Sequence, residues 1–450
     1  MPQTSYTGVS CRLVYSHQPM ATQLELDGPP VHAAGFSRRR LAVACLLVAA
    51  LVPSLLHLHV LDGRMPATHN DLIGRWVGTR AALAGKNPWS AAVLRQIQTA
   101  YYGRPLTPED HARPQAFYYP APIVVLLAPL AHFSWPVARL IFLALACPLL
   151  FGSFWLCLLS LPITRAPGQT LTILLLAFFS WPSIWSLRLQ QPTLIVAICV
   201  FIAWYALTRG HQIVPGALLS LTLIKPQLVF PLLAFLVFWS LLHRRWRFLL
   251  SLAASTALLL FASERIVPGW FPHWTASLRA YSDATVPPLE LAFGHWPGLI
   301  LTLLLATVTA VLLWRFRHCP YPSQEFACAL SLALGLALVL SPTDAPMIYN
   351  DVLLFPACIV LIFSQPTGLG VRLARKVSIT LIAFRYALVV IAVCGEYVFG
   401  PSDLWDGMPF LNLILPVVIT ATLTWIAIEP LRAQQTESSI PLSLVTDPSH

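Results

Sequence analysis

The sequence has few charged residues, and this scarcity excludes an ordinary soluble domain. Charged residues make up 10% of the chain and hydrophobic residues 57%, whereas soluble domains carry about 25% charged residues. Uncharged apolar runs such as 41–61, 297–314 and 326–340 approach the length of a membrane span, which takes about 20 apolar residues. The composition therefore predicts an all-α, polytopic transmembrane protein.

Paired cysteine motifs are also missing. The nine cysteines are scattered, mostly inside apolar runs, and none forms a C-x-x-C pair. A zinc site or a redox motif is therefore not indicated, and the cysteines are interpreted as small buried apolar residues. We predict neither a metal nor a cofactor.

Acidic residues are outnumbered by basic ones, 18 to 28. The basic residues lie in short clusters between apolar runs, as they do where they orient a membrane protein, so no nucleic-acid partner is predicted. Clusters at 38–40, 243–247, 315–318 and 372–376 are placed in the cytoplasm. This orientation predicts a disordered cytoplasmic tail at 1–37, a transmembrane domain at 38–428 with a large outer loop at 62–116, and a cytoplasmic tail at 429–450. The predicted location is the bacterial inner membrane.

The topology between the outer loop and residue 243 has two solutions. Apolar runs cover 117–133, 136–161, 170–187, 191–208 and 213–242, the last interrupted by Lys225. Five crossings give about 12 transmembrane helices in all. If Lys225 instead marks the tip of a hairpin, one proline-rich run, with 117–133 as the first candidate, has to be re-entrant. Both solutions stay open at this stage.

The outer loop contains a predicted amphipathic helix at 72–84. Its apolar side carries Leu72, Ile73, Trp76, Val77 and Leu83, with Arg75 and Arg80 off that side. Such a helix lies at the membrane surface. Asp71 precedes it and is either a helix cap or a catalytic base. The basic residues of this loop are suited to a lipid phosphate, although a solvated loop is the alternative.

Several short motifs occur in an order that resembles glycosyltransferase family 87. They are ND (70–71), AGKNPW (84–89), FYYPAP (117–122), APL (128–130), QQPTL (190–194), PGA (215–217), KP (225–226), RRWR (244–247), SP (341–342) and LLFP (353–356). The resemblance implies a GT-C fold and transfer of a hexose such as mannose. The donor would be a polyprenyl-phosphate sugar and the acceptor a lipid-linked or glycan molecule at the outer face. The reaction would invert the anomeric carbon.

The resemblance also implies roles for individual residues. Asp71 matches the aspartate that acts as general base on the acceptor hydroxyl. The donor phosphate would be bound by Lys225, Arg75, Lys86, Tyr349 and Asn350, and Lys225 is the strongest of these because an intramembrane lysine is usually functional. The remaining substrate-binding candidates are Asn70, Tyr118, Tyr119, Gln190, Gln191 and Asp344.

The chain departs from the family pattern at two places. Residues 190–193 lack the glycine and the asparagine of the family's Gly-Gln-x-Asn element. Tyr349, Asn350 and Asp351 occur where members commonly carry a histidine. Asp344 and Asp351 can contact sugar hydroxyls, or they are ordinary loop charges, which is the favoured reading for both. A lipid or solute transporter and a non-catalytic family member remain as alternative functions.

Overall fold

The structure is a computed structural model that describes residues 70–107, 109–110, 115–163, 166–282, 285–343, 347–399 and 409–438. These residues all belong to one compact unit. The predictions made for the tail at 1–37, the first span at 41–61, Asp344 and the end of the chain after residue 438 lie outside the described residues.

The described residues form α-helices joined by short links, with no β-strand among them. The helices are α1 (Asp71–Leu83), α2 (Ala91–Tyr102), α3 (Pro122–Ala131), α4 (Trp135–Ser160), α5 (Pro167–Phe178), α6 (Trp181–Leu189), α7 (Thr193–Thr208), α8 (Ile213–Leu221), α9 (Phe230–Leu242), α10 (Trp246–Ile266), α11 (Trp270–Ser282), α12 (Pro288–Phe293), α13 (His295–Arg315), α14 (Gln324–Leu340), α15 (Phe355–Phe363), α16 (Leu369–Phe399) and α17 (Pro409–Ser438). The predicted all-α, polytopic membrane protein is confirmed.

Four helical stretches are long and apolar enough to cross a membrane. They are Trp135–Ser160, Trp246–Ile266, His295–His318 and Phe410–Glu429. A fifth results if α5 and α6, which meet at an angle of 47°, form one broken span. Six further apolar helices are shorter, so length and composition leave the predicted number of about 12 crossings untested.

The segment that contains Lys225 folds as a hairpin. The Ile213 carbonyl at the start of α8 accepts a hydrogen bond of 2.7 Å from Ser251 of α10. Because α10 begins shortly after α9 ends, α8 starts and α9 finishes at the same end of the bundle. Two 3₁₀ turns, Thr222–Ile224 and Pro226–Leu228, flank Lys225 at the tip. These contacts agree with the hairpin of the second predicted topology, whereas the crossings of 117–242 and the re-entrant run stay predictions.

Helix α3 packs along α1 and is too short to span a membrane by itself. Its 10 residues extend about 15 Å, half of the ~30 Å hydrocarbon core. Phe117, before α3, packs on Gly78 of α1, and Leu130, near the end of α3, accepts a 3.3 Å hydrogen bond from the Trp76 indole. Both ends of this run therefore contact helix α1.

The core is centred on α14, in which every residue from Phe326 to Val339 is buried. A helix that is apolar all round is typical of such a central position. Phe154, Phe201 and Phe355 join α4, α7 and α15, with the Phe154 and Phe355 ring centroids 4.5 Å apart. The polar site described below lies at one end of these helices.

The basic clusters at 243–247 and 315–318 lie close together at the end of α9 that is far from Lys225. Trp239, close to the cluster at 243–247, donates a 3.2 Å hydrogen bond to the carbonyl of Cys319, next to the cluster at 315–318. Glu429 of α17 accepts a 2.6 Å hydrogen bond from Thr367, shortly before the cluster at 372–376. The predicted grouping of Glu429 with this basic cluster agrees with the contact.

Gly78 permits the close packing of α1 on Phe117, and a larger residue is expected to disrupt it. A Cβ atom at position 78 would lie 2.2 Å from Cδ2 of Phe117, which is buried. We expect Gly78→Ala to lower the free energy of unfolding by about 1–3 kcal/mol. Thermal unfolding in detergent measures the change.

Gly152→Ala in α4 is the matched control, since a Cβ there meets nothing within 4 Å and alanine favours a helix. Equal melting temperatures for Gly78→Ala and Gly152→Ala would contradict the packing argument.

Candidate active site

Helix α1 begins with a cap that is supplied by Asn70. The Asn70 Oδ1 accepts a hydrogen bond of 3.1 Å from the amide of Ile73, and Asn70 is buried. This is the usual N-cap contact. The capping role considered for Asp71 therefore belongs to Asn70, and the Asp71 carboxylate, with 16% of its side chain exposed, is available for another contact.

Arg75 turns inward one helical turn after Asp71. Its Nη1 donates a 2.6 Å hydrogen bond to the Asp71 backbone carbonyl and lies 3.9 Å from the Asp71 carboxylate. The guanidinium carbon is 4.6 Å from the centre of the Tyr119 ring. The placement of Arg75 off the buried side of α1 was wrong, because this ring and Asp71 hold the guanidinium inside. Leu83 was predicted on the apolar side and is exposed.

Lys225 is buried at the hairpin tip and makes three hydrogen bonds to neutral groups. Its Nζ donates to Thr193 Oγ1 at 2.8 Å, to Gln191 Oε1 at 3.4 Å and to Asn350 Oδ1 at 3.4 Å. Thr193 in turn donates to Asn350 at 2.9 Å. The Lys225 side chain thus joins three segments that are far apart in the sequence.

Two aromatic rings complete the surroundings of the Lys225 ammonium. Nζ lies 4.9 Å from the centre of the Tyr349 ring and 5.8 Å from that of Tyr119. Among the described residues no carboxylate is within 4 Å of this ammonium, although Asp71 interacts with it electrostatically at longer range. A buried cation without a paired anion is costly. We refer to Asp71, Arg75, Tyr119, Gln191, Thr193, Lys225, Tyr349 and Asn350 as the buried polar cluster.

Gln190 stands where the Gly-Gln-x-Asn element of the family has its glycine. It adopts φ 51° and ψ 47° at the end of α6, a left-handed conformation that glycine adopts most readily. Gln190 is fully buried, and neither atom of its amide has a hydrogen-bond partner within the described chain. The nearby Gln191 Nε2 has none there either. These amide groups are therefore available to a polar ligand.

Asp351 is a buried residue and is not an ordinary loop charge. Its Oδ2 accepts a hydrogen bond of 2.7 Å from Arg385 of α16, and both side chains are buried. The favoured reading as a loop charge was wrong, because a partner 34 residues further along the chain cannot be recognised from local sequence. The pair fixes the 3₁₀ helix Ile348–Leu354, whose Tyr349 carbonyl also accepts from Ser186 at 2.8 Å.

Removing one member of this ion pair is expected to destabilise the fold. Arg385→Met leaves Asp351 buried without its cation, and breaking such a pair costs about 3–5 kcal/mol. The double variant Asp351→Leu with Arg385→Met removes both charges and is expected to be much closer to wild type. Thermal unfolding of the three proteins checks this, and equal losses in the single and double variants would refute it.

Lys86 and Tyr118 are among the predicted site residues outside the buried polar cluster as defined above. Lys86 is exposed beyond the C-terminal end of the 13-residue α1, which places it about 20 Å from Asp71. Tyr118 is half-buried, and its backbone carbonyl accepts a 3.0 Å hydrogen bond from Trp274. Asp344 lies outside the described residues. The roles given to Lys86, Tyr118 and Asp344 stay predictions.

Two contributors to the site were not selected from the sequence. Thr193 occupies the position of the family's asparagine and bridges Lys225 to Asn350. Tyr101, near the end of α2, has its pKa raised to about 12 by burial and by the charge of Asp71. The phenol of Tyr101 therefore lies within electrostatic range of the Asp71 carboxylate. No local motif indicated either contact, since each depends on tertiary packing.

The fold and the site define a helical membrane protein with a buried cationic site at one end of its bundle. A family model described as glycosyltransferase family 87 matches residues 117–342. Because the match covers half of the chain, the chain belongs to glycosyltransferase family 87 and is a glycosyltransferase. The suspected family is thereby confirmed. Comparison with curated proteins and with solved structures gives no match.

The matched region includes one part of the buried polar cluster. Tyr119, Gln191, Thr193 and Lys225 fall within residues 117–342. Asp71 and Arg75 precede this region, and Tyr349 and Asn350 follow it. The structure brings residues from all three parts of the chain together around Lys225.

Proposed function

We propose that the protein transfers a hexose, with mannose as the first candidate, from a polyprenyl-phosphate donor to a lipid-linked or glycan acceptor. The reaction takes place in a GT-C-like fold at the outer face of the membrane and inverts the anomeric carbon. The observation that carries the proposal is the buried Lys225 ammonium, which has only neutral hydrogen-bond partners among the described residues. A donor phosphate supplies the missing anion.

The charge of the cluster is suited to a phosphodiester. With Lys225 and Arg75 protonated and Asp71 ionised, the three side chains carry one net positive charge. A polyprenyl-phosphate sugar is a diester with one negative charge, whereas a nucleotide diphosphate sugar carries two. As the sugar leaves, the lipid phosphate gains a second negative charge, which Lys225 and Arg75 stabilise in the transition state.

Asp71 is the general base in this proposal. In this step Asp71 takes the proton of the acceptor hydroxyl as the hydroxyl oxygen bonds to the anomeric carbon. The bond from that carbon to the phosphate oxygen breaks, and the electron pair leaves with the lipid phosphate. The partial exposure of Asp71 provides access for the acceptor. Asp351, the other carboxylate near the cluster, is occupied by Arg385, which favours direct displacement with inversion.

The position of the site along the hairpin supports the outer face. Helix α9 has 13 residues and extends about 20 Å, so Lys225 is separated from the basic cluster at 243–247 by about two-thirds of the hydrocarbon core. Basic clusters of this kind mark the cytoplasmic side. Lys225 would then lie at a depth that the phosphate of an outer-leaflet lipid can reach.

The test compares donor classes in reconstituted vesicles. Purified protein is supplied with a lipid acceptor extract and either polyprenyl phosphomannose or GDP-mannose, each radiolabelled in the sugar. We expect label in a new glycolipid or glycan only with the polyprenyl donor. Transfer from GDP-mannose at an equal or higher rate would refute the proposed donor class while leaving the glycosyltransferase activity intact.

A lipid or solute transporter is the second candidate, and the buried pair of Asp351 and Arg385 is the observation that favours it. Paired ionisable residues among transmembrane helices are common along transport pathways. Family membership favours the glycosyltransferase. In a glycosyltransferase, the ion pair of Asp351 and Arg385 would serve to position the 3₁₀ helix that carries Tyr349 and Asn350.

A further inference from the structure

Two arginine-rich stretches meet at the end of α9 that is far from Lys225. The first, 243–247, joins α9 to α10, and the second, 315–318, ends the helical stretch that begins with α13. The hydrogen bond from Trp239 to Cys319 connects them. None of their arginines forms an ion pair among the described residues, not even with Glu325 nearby in the sequence. This end of the bundle therefore carries uncompensated positive charge.

The turn after α9 fixes the position of Arg245. Arg244 adopts φ 53°, a left-handed conformation that is uncommon for residues other than glycine. The Arg245 amide then donates a 2.8 Å hydrogen bond back to the Ser240 carbonyl, as in a Schellman turn. The Arg245 guanidinium carbon lies 5.8 Å from the ring centres of both Trp239 and Tyr321. The guanidinium is therefore held against two aromatic rings.

The Tyr321 hydroxyl is the second element of this site. It is buried and has no hydrogen-bond partner within the described chain, although buried polar groups are normally hydrogen-bonded. The neighbouring Arg245 guanidinium has five donors and no acceptor, so it cannot accept the proton of the phenol. An anion with several oxygen atoms can accept hydrogen bonds from both side chains at once. A phosphate is such an anion, and its hydrogen bonds to arginine are strong.

The surroundings favour a lipid phosphate over a soluble anion. Trp246 and Trp314 adjoin the two stretches and are 54% and 56% exposed. Trp246–Ile266 and His295–His318 are long and apolar enough to cross a membrane, so the arginines lie at the ends of candidate spans. Exposed tryptophan is typical of the headgroup level there, and basic pockets at this level bind lipid headgroups. The exposed Leu250, one turn further along α10, provides apolar surface for an acyl chain.

We propose that Arg245 and Tyr321 bind the phosphate of an anionic membrane lipid at this surface. The Arg245 guanidinium and the Tyr321 hydroxyl both donate hydrogen bonds to phosphate oxygens. The other arginines of the two stretches add attraction at longer range. This site lies at the opposite end of α9 from the buried polar cluster, so it does not depend on the proposed function.

The test measures the preference for an anionic lipid. Purified full-length protein in neutral detergent is titrated with labelled phosphatidylglycerol and phosphatidylcholine of identical acyl chains, at about 0.15 M salt, where charges are screened beyond about 8 Å. We expect wild type to bind phosphatidylglycerol at least about tenfold more tightly. Arg245→Gln and Tyr321→Phe are each expected to reduce this preference about tenfold, the effect of one hydrogen bond to a charged group.

Arg209→Gln and Tyr205→Phe are the matched controls. The Arg209 guanidinium carbon lies 5.1 Å from the centre of the Tyr205 ring, close to the start of α8, which packs on α10 at the same end of the bundle. The Tyr205 hydroxyl is not among the buried groups without a partner. The two control variants remove the same charge and the same hydroxyl, and their lipid preference is expected to stay within about twofold of wild type.

Four results would overturn the proposal. One is a wild-type protein that binds both lipids equally. A second is an equal loss of preference in Arg209→Gln and Arg245→Gln, which indicates general attraction by surface charge. A third is displacement of phosphatidylglycerol by an equal concentration of inorganic phosphate, which indicates a site for a soluble anion. The fourth is a lower melting temperature of lipid-depleted Tyr321→Phe with an unchanged lipid preference, which makes the hydroxyl a structural group.

Discussion

Replacement of Asp71 by asparagine is expected to lower the rate of sugar transfer by about 10²–10⁴-fold, the range for loss of a positioned general base. The amide retains the shape of the carboxylate but cannot accept the hydroxyl proton. Asn70 provides the N-cap of α1, so the substitution leaves the start of that helix intact. The measurement is the initial rate of sugar transfer in vesicles with saturating labelled donor. The affinity for the donor is measured as well and is expected to stay near the wild-type value.

Asp110→Asn is the control for the Asp71 variant. Asp110 belongs to the same predicted outer loop, and its carboxylate accepts hydrogen bonds of 2.5 Å and 2.8 Å from Arg104. It makes no contact with the buried polar cluster among the described residues, so its loss is expected to leave transfer unchanged. Equal rates for wild type and Asp71→Asn would remove Asp71 from the base role without removing the enzyme.

Replacement of Lys225 by methionine is expected to reduce kcat/KM for the donor by about 30- to 4,000-fold, with a fall in kcat as well as a rise in KM. Loss of one partner from a buried charged contact costs about 2–5 kcal/mol, and ten-fold in affinity corresponds to about 1.4 kcal/mol. Methionine has a similar length and no charge. Steady-state kinetics with varied donor concentration measures the effect.

The same Lys225 substitution is expected not to lower thermal stability. In the ligand-free protein the ammonium is buried with neutral partners, and removal of an uncompensated buried charge offsets the hydrogen bonds that are lost. Lys376→Met, at an exposed position near the start of α16, is the control for both readouts. A lower melting temperature with unchanged kcat/KM would identify Lys225 as a structural residue.

Local sequence was sufficient for helix α1 and for the membrane class. Apolar side chains and a terminal glycine predicted a helix at 72–84, and α1 extends over Asp71–Leu83. Uncharged runs predicted spans that include Trp135–Ser160 and His295–His318. Both features depend on residues that are close together in the chain, where helical periodicity and length are informative.

The geometry of the site required tertiary information. Thr193 contacts Asn350 across 157 positions, and Arg385 contacts Asp351 across 34. The Arg75 side chain points inward because it packs on the Tyr119 ring. The helical pattern of residues 72–84 contains no information about this ring. Lys225 was predicted to bind phosphate partly because it interrupts an apolar run. That run alone was compatible with both a single crossing and a hairpin.

The most direct test of the central claim measures bond transfer and carrier release together. Wild-type protein in vesicles receives polyprenyl phosphomannose, labelled differently in the sugar and in the phosphate, and a lipid acceptor extract. We predict one molecule of polyprenyl phosphate released for each sugar that appears in a new product. Movement of intact doubly labelled donor across the bilayer, with no new glycoside and no released polyprenyl phosphate, would contradict the account and favour a transporter.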